Sequence, residues 1–394
     1  MTKNMRTIIL FTKTVRRNAC LIVRSQIPHQ PKERKECLMK KKTAAIVCAF
    51  SVLILSGCGK KDQITNNYQE GASQWTLVGN VPFGSGENYQ APTPFLGSIG
   101  ADLFASFTSP FFWNNGAYRS SDNGVSWTAV MPDSISVSAL AANGNNIFAA
   151  YSFWDTTHLY HYGISRSTDN GVTWSPTAFS NTTDTVKVYS LAANSGFIFA
   201  GTKNGVYRSS SNGDSWTQTA LPVSSGFTFM VQSLAINNNY IFAGTYIFDG
   251  CVSYNSPIIY RSSNNGDSWT AVDDSIYATT LAVSGADLYA ISMNPTFSYE
   301  KYGLYRSSDN GMTWNDVLNF PLSGIAISGD TIIVSTSPNS NGSAGNLLFS
   351  TDKGATWTQT EDACVATTNL VLNNGCLFTL DPGGNIWRRS LVGL

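Results

Sequence analysis

The sequence predicts an all-β protein, a seven-bladed β-propeller in which each blade is an antiparallel sheet of four strands. Three observations carry that expectation. A Leu or Ile recurs seven residues before another in seven places: Leu96/Leu103, Leu140/Ile147, Leu191/Ile198, Leu234/Ile241, Leu281/Leu288, Ile325/Ile332 and Leu370/Leu377. Tryptophans closing a repeated turn segment stand at Trp127, Trp174, Trp216, Trp269, Trp314 and Trp357, spaced by 47, 42, 53, 45 and 43 residues. Four strands in roughly 45 residues is the period of a propeller blade. Finally, the ends of the repeating region complement each other. The last unit stops after its third strand, "NIWRRS", and the chain before Leu96 holds one orphan fourth strand, "SQWTLVG". Trp75 to Gly79 is therefore expected to complete the last blade and close the ring, leaving no sheet edge open to aggregation.

Residues 1–38 precede any recognisable pattern and read as an upstream extension outside the fold. From Met39 the text is "MKKKTAAIVCAFSVLILSGCGK". Lys40 to Lys42 give a positive start, Thr43 to Leu55 is an apolar run too short to span a bilayer comfortably, and small residues lead to Cys58. "LSGC" resembles the lipobox of bacterial lipoproteins. The resemblance implies a signal peptide over 39–57, diacylglyceryl modification of Cys58, and an exported protein anchored in the cell envelope. Gly59 in place of Asp favours the outer membrane, by resemblance to enterobacterial sorting. Residues 58–72 read as a polar tether, and 73–394 as the propeller.

Charge divides along the same boundary. Residues 1–57 carry 12 Lys+Arg against 2 Asp+Glu, and residues 58–394 carry 13 against 23. So acidic a body excludes general nucleic-acid binding, which needs cations to displace phosphate counterions. Its Gly, Ser, Asn, Thr and aromatic content suits turn-rich β structure. In each unit the paired Leu/Ile positions flank Asn/Gly turns ("SLAANSGFIFAGT", "SLAINNNYIFAGT"), which marks a hairpin. A third strand ends in "YRSS" or a close copy, the turn segment follows, and a fourth strand opens on "WT".

The turn segments read S-x-D-x-G-x-x-W. Full copies are Ser120-Asp122-Gly124-Trp127, Ser167-Asp169-Gly171-Trp174, Ser307-Asp309-Gly311-Trp314 and Ser350-Asp352-Gly354-Trp357. Two copies replace the Asp, with Ser211 before Trp216 and Asn264 before Trp269. Asp, Asn and, more weakly, Ser can all accept backbone amides and lock a tight turn. Gly supplies positive φ, and Trp folds back as an apolar cover. A catalytic carboxylate would not survive replacement by Ser or Asn, so these six positions are expected to be structural. The pattern resembles the Asp-box, or BNR, repeat of sialidases, xyloglucanases, sortilin-type receptors and photosystem II assembly-factor-like propellers. That resemblance covers residues 73–394. It implies binding on the face opposite the motif turns, where the loops between second and third strands and the interblade connections lie.

Sialidases of this family grip a substrate carboxylate with three arginines. Here Arg119, Arg166, Arg208, Arg261, Arg306 and Arg388 occupy one equivalent position on the third strand, broken only by Phe349, and Arg389 alone is left over. Equivalent positions around a ring are expected to point outward and cannot converge. The alternative of a glycoside hydrolase or lyase needs a carboxylate pair. Asp133, Asp184, Asp273, Asp274, Glu300, Glu361 and Asp362 fall on the expected ligand face, and spacing selects no pair. His158 and His161 share a loop at a spacing too weak to indicate a metal. No metal or cofactor is expected. Cys251, Cys364 and Cys376 allow one disulfide and leave a thiol over.

Loop length is the remaining signal. From the second-strand anchor to the Arg position the gaps are 16, 19, 10, 20, 18, 17 and 11 residues. The long loops are aromatic, and Phe111, Phe112, Trp113, Trp154, Tyr160, Tyr162, Phe297 and Tyr299 are the ligand-binding candidates. Rigid amphipathic rings suit a glycan or a protein partner. The expectation is a monomeric, tethered, non-catalytic propeller that binds a glycan or an envelope protein.

Overall fold

The computed structural model describes residues 75–81, 93–108, 116–155, 159–181, 186–222, 228–237, 239–248, 258–292, 302–336, 345–363, 369–381 and 383–391, all within a compact unit spanning Tyr68–Leu394. They form seven antiparallel four-stranded sheets. Blade 1 is Thr93–Ile99, Asp102–Thr108, Ala117–Ser120 and Thr128–Met131. Blade 2 is Ile135–Asn143, Asn146–Trp154, Tyr160–Ser167 and Ser175–Pro176. Blade 3 is Val188–Ala193, Ile198–Thr202, Gly205–Ser209 and Thr217–Gln218. Blade 4 is Thr228–Asn237, Tyr240–Phe248, Ile258–Ser262 and Thr270–Asp273. Blade 5 is Ala278–Ser284, Asp287–Ser292, Gly303–Ser307 and Asn315–Leu318, and blade 6 is Leu322–Ser328, Thr331–Thr336, Asn346–Ser350 and Thr358–Ala363. Blade 7 joins Leu370–Asn373, Cys376–Leu380 and Asn385–Ser390 to the N-terminal strand Thr76–Asn80. First strands of successive blades contact one another all the way round, blade 7 meeting blade 1, so the sheets form a ring with first strands innermost.

The cores lie between blades. Seven buried clusters each draw on two neighbouring sheets. The joint of blades 2 and 3, for example, packs Phe148 and Ile164 against Val188, Leu191 and Ile198. Full burial of such a side chain contributes about 1.5–3 kcal/mol. Each motif tryptophan enters the joint with the preceding blade, Trp216 that of blades 2 and 3 and Trp357 that of blades 5 and 6. They therefore hold blades together as well as covering hairpins. Trp75 takes the same place between blades 6 and 7, packed with Leu347, Phe349, Leu370 and Leu377.

The third-strand arginines correct one expectation: they point along the ring. Arg166, Arg208 and Arg261 pair in register with Phe148, Phe199 and Phe242 on the second strand. Directly opposed residues share a sheet face, and in a propeller that face looks at the next blade. Arg166, Arg208, Arg261 and Arg388 accordingly donate to the main-chain carbonyls of Asn212, Asn265, Asn310 and Asn123 in the next blade's motif turn. In blades 1 and 5 an acid opening the second strand takes the arginine instead, Asp102 with Arg119 at 2.9 Å and Asp287 with Arg306 at 3.0 Å. The Phe349 exception then has a cause. It faces blade 7, whose fourth strand comes from the N-terminus, so there is no motif turn for a cation to hold.

Candidate functional site

The motif turns share one local circuit. In blade 1 the buried Ser120 hydroxyl donates to Asp122 Oδ1 at 2.8 Å and accepts the Gly124 amide at 2.8 Å. Asp122 accepts the Ser126 amide at 2.9 Å and the Ser126 hydroxyl at 2.5 Å, and Trp127 Nε1 donates to the Gly124 carbonyl at 3.0 Å. Asn264 accepts the Ser268 amide and donates to the Ser268 hydroxyl, and Ser211 meets Ser215 at 2.9 Å through both amide and hydroxyl. Two adjacent residues adopt positive φ in each turn, as in Asn123 at 59° and Gly124 at 81°, with Lys353 at 62° standing in for Asn in blade 6.

These bonds set the acidity of the motif carboxylates. Asp122 is held down to about 2 by the Ser126 hydroxyl and amide, with Ser120 assisting. Thr173 and Thr356 do the same for Asp169 and Asp352, also to about 2. Partial burial pushes Asp309 up, but the Thr313 hydroxyl and amide with Ser307 outweigh it and bring it to about 2. A carboxylate so committed to donors is a poor proton carrier near neutral pH.

Antiparallel order puts the first hairpin turns and the motif turns on one face, and Asn194–Asn265 and Asn374–Asn123 side-chain bonds join them there. The other face carries the second-to-third strand hairpins. Among the described residues its most developed feature is the blade 2 hairpin, which turns between Asp155 and Leu159. Asp155 accepts the Leu159 amide at 3.0 Å and meets His161 Nε2 at 2.7 Å.

Side chains alternate along these strands. Ala150 and Ile164 sit in the joint with blade 3, so Ser152, Trp154, Tyr160 and Tyr162 lean the same way. Tyr151, Phe153 and His161 lean toward blade 1, with Phe153 stacked on the His161 ring at 4.7 Å. On the blade 3 side Trp154 meets Tyr160 edge-on at 4.4 Å, and Tyr160 stacks with Tyr162 at 5.9 Å. Tyr189 of blade 3 lies near this row. Burial raises the Tyr189 pKa and the Tyr162 phenol adds to it, while Tyr189 donates its hydroxyl to Met230 Sδ at 3.1 Å on blade 4. Burial also raises Tyr160 and Tyr162. The Lys187 ammonium lies 5.0 Å from the centre of the Tyr189 ring. Its side chain is exposed by area, yet the protein crowded around the charge lowers its pKa.

Three sequence candidates, Trp154, Tyr160 and Tyr162, are thus brought together. Phe111, Phe112, Trp113, Phe297 and Tyr299 lie outside the described residues, as do Cys58, His158, Asp184, Glu300, Cys251 and Cys364. Cys376 is a free thiol. Asp273 is taken up by its own turn, accepting the Ser275 and Ile276 amides. No group of three His, Cys, Asp or Glu suited to a metal occurs among the described residues. Tyr189 and Lys187 were not singled out from sequence, although a signal existed. The first strands of five blades carry a bulge, occupied by Ser138, Tyr189, Gln232, Thr279 and Ser323. Only in blade 3 is that residue aromatic.

No known family profile and no curated protein matches the sequence. Solved structures do resemble the fold. A GH74 enzyme from Niastella koreensis superposes with a TM-score of 0.56 at 20% identity, over 79% of this chain and 53% of that one. The GH74 xyloglucanase from Xanthomonas campestris gives 0.55 at 15%, over 81% and 54%. YCF48 bound to D1 peptide gives 0.55 at 16%, over 82% and 96%. The chain spans about half the length of the two GH74 proteins. At such identities the likeness is one of fold, and the fold is the seven-bladed β-propeller.

Proposed function

We propose that this protein is an envelope lipoprotein whose Asp-box propeller binds a glycan or an envelope protein, without catalysis, on the face opposite the motif turns. The observation that carries the reading is the aromatic row Trp154–Tyr160–Tyr162 on blade 2, with Tyr189 of blade 3 nearby. Rings of this kind present a large contact area at small entropy cost. The motif carboxylates are spent on their own turns. Related folds accommodate both outcomes: one neighbour is a xyloglucanase and another was solved with a peptide. Cys58 supplies the anchor, in the outer membrane by the Gly59 signal, and residues 58–72 give the propeller reach from the surface.

Glycan-array binding run beside a screen on chromogenic glycosides tests the binding reading. Retained binding without turnover is expected, with Trp154→Ala and Tyr162→Ala each weakening it. Turnover abolished by substituting one carboxylate would instead establish a glycoside hydrolase. For the anchor, Cys58→Ser should shift the protein from the membrane fraction to the soluble fraction; unchanged membrane attachment would refute lipidation.

A further inference from the structure

Blade 3 is lower on the face opposite the motif turns than either of its neighbours. Its second strand ends at Thr202, whereas those of blades 2 and 4 continue to Trp154 and Phe248. Counted from the shared Ile anchors, each neighbour runs three residues further, about 10 Å at the rise of a strand. The top of blade 3 is a two-residue turn, Lys203-Asn204. Thr202 pins it, its hydroxyl donating to the Gly205 carbonyl and accepting the Asn204 amide. Blade 3 is therefore the floor of a trench between the longer second strands of blades 2 and 4.

The blade 2 wall of that trench is the Trp154, Tyr160 and Tyr162 face, and Tyr189 lies near it on the floor. Two lysines stand beside it. The Lys203 amide donates to the Lys187 carbonyl at 3.3 Å, which sets the two residues side by side. They are the only Lys or Arg among the described residues of this face, because the described arginines lie at the motif end of their strands and Lys353 lies in a motif turn. No described carboxylate pairs with either lysine. In a body with 23 acidic and 13 basic residues, this is a local reversal of charge beside a row of rings.

We propose that the trench binds an oligosaccharide bearing carboxylates, a uronic-acid glycan. The C–H faces of its sugars pack on Trp154, Tyr160 and Tyr162, and Lys187 and Lys203 pair with its carboxylates. This rests on the binding function proposed above and names its ligand class. The chemistry favours a sugar over a polypeptide. The described side chains assigned to the site are an indole, phenols and amines, with no aliphatic anchor pocket among them of the kind a protein hot spot fills. A bound carboxylate would also offset, by its opposite charge, the desolvation that lowers the Lys187 pKa.

Calorimetric titration of the full chain with tetragalacturonate, its methyl ester, cellotetraose and tetraglutamate tests this. Tetragalacturonate should bind, and its affinity should fall with added salt. Esterification, and the Lys187→Ala/Lys203→Ala double variant, should each cost about tenfold or more, the range of a charge-assisted contact. Tyr162→Ala should weaken binding while leaving the salt dependence in place, and melting curves should show the variants folded. Equal binding of acid, ester and cellotetraose would overturn the uronate assignment and keep the glycan-binding reading. Equal binding of tetraglutamate would overturn it in favour of an acidic peptide. Binding of none of the saccharides would overturn both.

Discussion

Ser120 illustrates what one side chain decides. It is 1% exposed, and its single hydroxyl both donates to Asp122 and accepts from Gly124, which aligns the Asp for its amide donors. The motif carboxylates have folded pKa values near 2 against an ordinary 3.8. A depressed folded value means that their stabilisation is complete above about pH 4 and is lost as pH falls toward about 2. Replacing Asp122, Asp169, Asp309 and Asp352 by Asn, as blade 4 already does with Asn264, should flatten the fall in melting temperature across that window. Parallel curves for the two proteins would contradict it. Gly171 tests the second requirement of the turn. Its φ is 79°, and a Cβ there would lie 2.5 Å from the Phe104 ring, whereas Gly100 at φ 60° has nothing within 4 Å. Both substitutions to Ala incur about 1 kcal/mol of left-handed strain, but Gly171→Ala should lose a further ~1–3 kcal/mol to overpacking. Chemical denaturation of the pair would show the difference, and equal losses would exclude the Phe104 contact as its source.

At the scale of the element, the ring-closing strand and the motif turn do one job by different means. Trp127 donates its indole N–H to the Gly124 carbonyl, while the buried indole nitrogen of Trp75 has no partner. The same volume is removed by Trp127→Phe and Trp75→Phe, so the first should cost about 1 kcal/mol more, the net value of a partly buried hydrogen bond. Equal denaturation midpoints would mean that the Gly124 carbonyl finds water instead. In blade 3 the corresponding carbonyl, Gly213, is already occupied by the Ala178 amide from blade 2, and the Trp216 indole nitrogen has no partner. The Arg series belongs to this scale too. It runs through every blade whose successor presents a motif turn, and Phe349 marks the one that does not.

Across the whole molecule, the two faces are built differently. The motif face is tied together by arginines, asparagines and serines that cross from blade to blade: Asn373 donates to the Ala101 carbonyl, Asn237 to that of Ala286, and Ser284 to that of Gly329. The opposite face has second strands of unequal length and an aromatic row on the blade 3 side of blade 2. A rigid ring with a variable rim suits a binding protein, since loops can change length without disturbing the interblade cores.

Much of this was legible in the sequence. The Leu/Ile pairs, the tryptophan spacing and the orphan strand at Trp75 sufficed for seven blades and for the seam, because a repeating chain must bury the same face of each unit against its neighbour. The loop gaps of 19, 10 and 20 residues already contained the relief of blades 2, 3 and 4. Tertiary structure alone decided where the arginines point, since a strand position offers two faces and only the ring determines what each face meets. It also decided that Tyr189 and Lys187 join Trp154, Tyr160 and Tyr162. Those residues belong to different blades, and only packing of the two sheets brings them near one another.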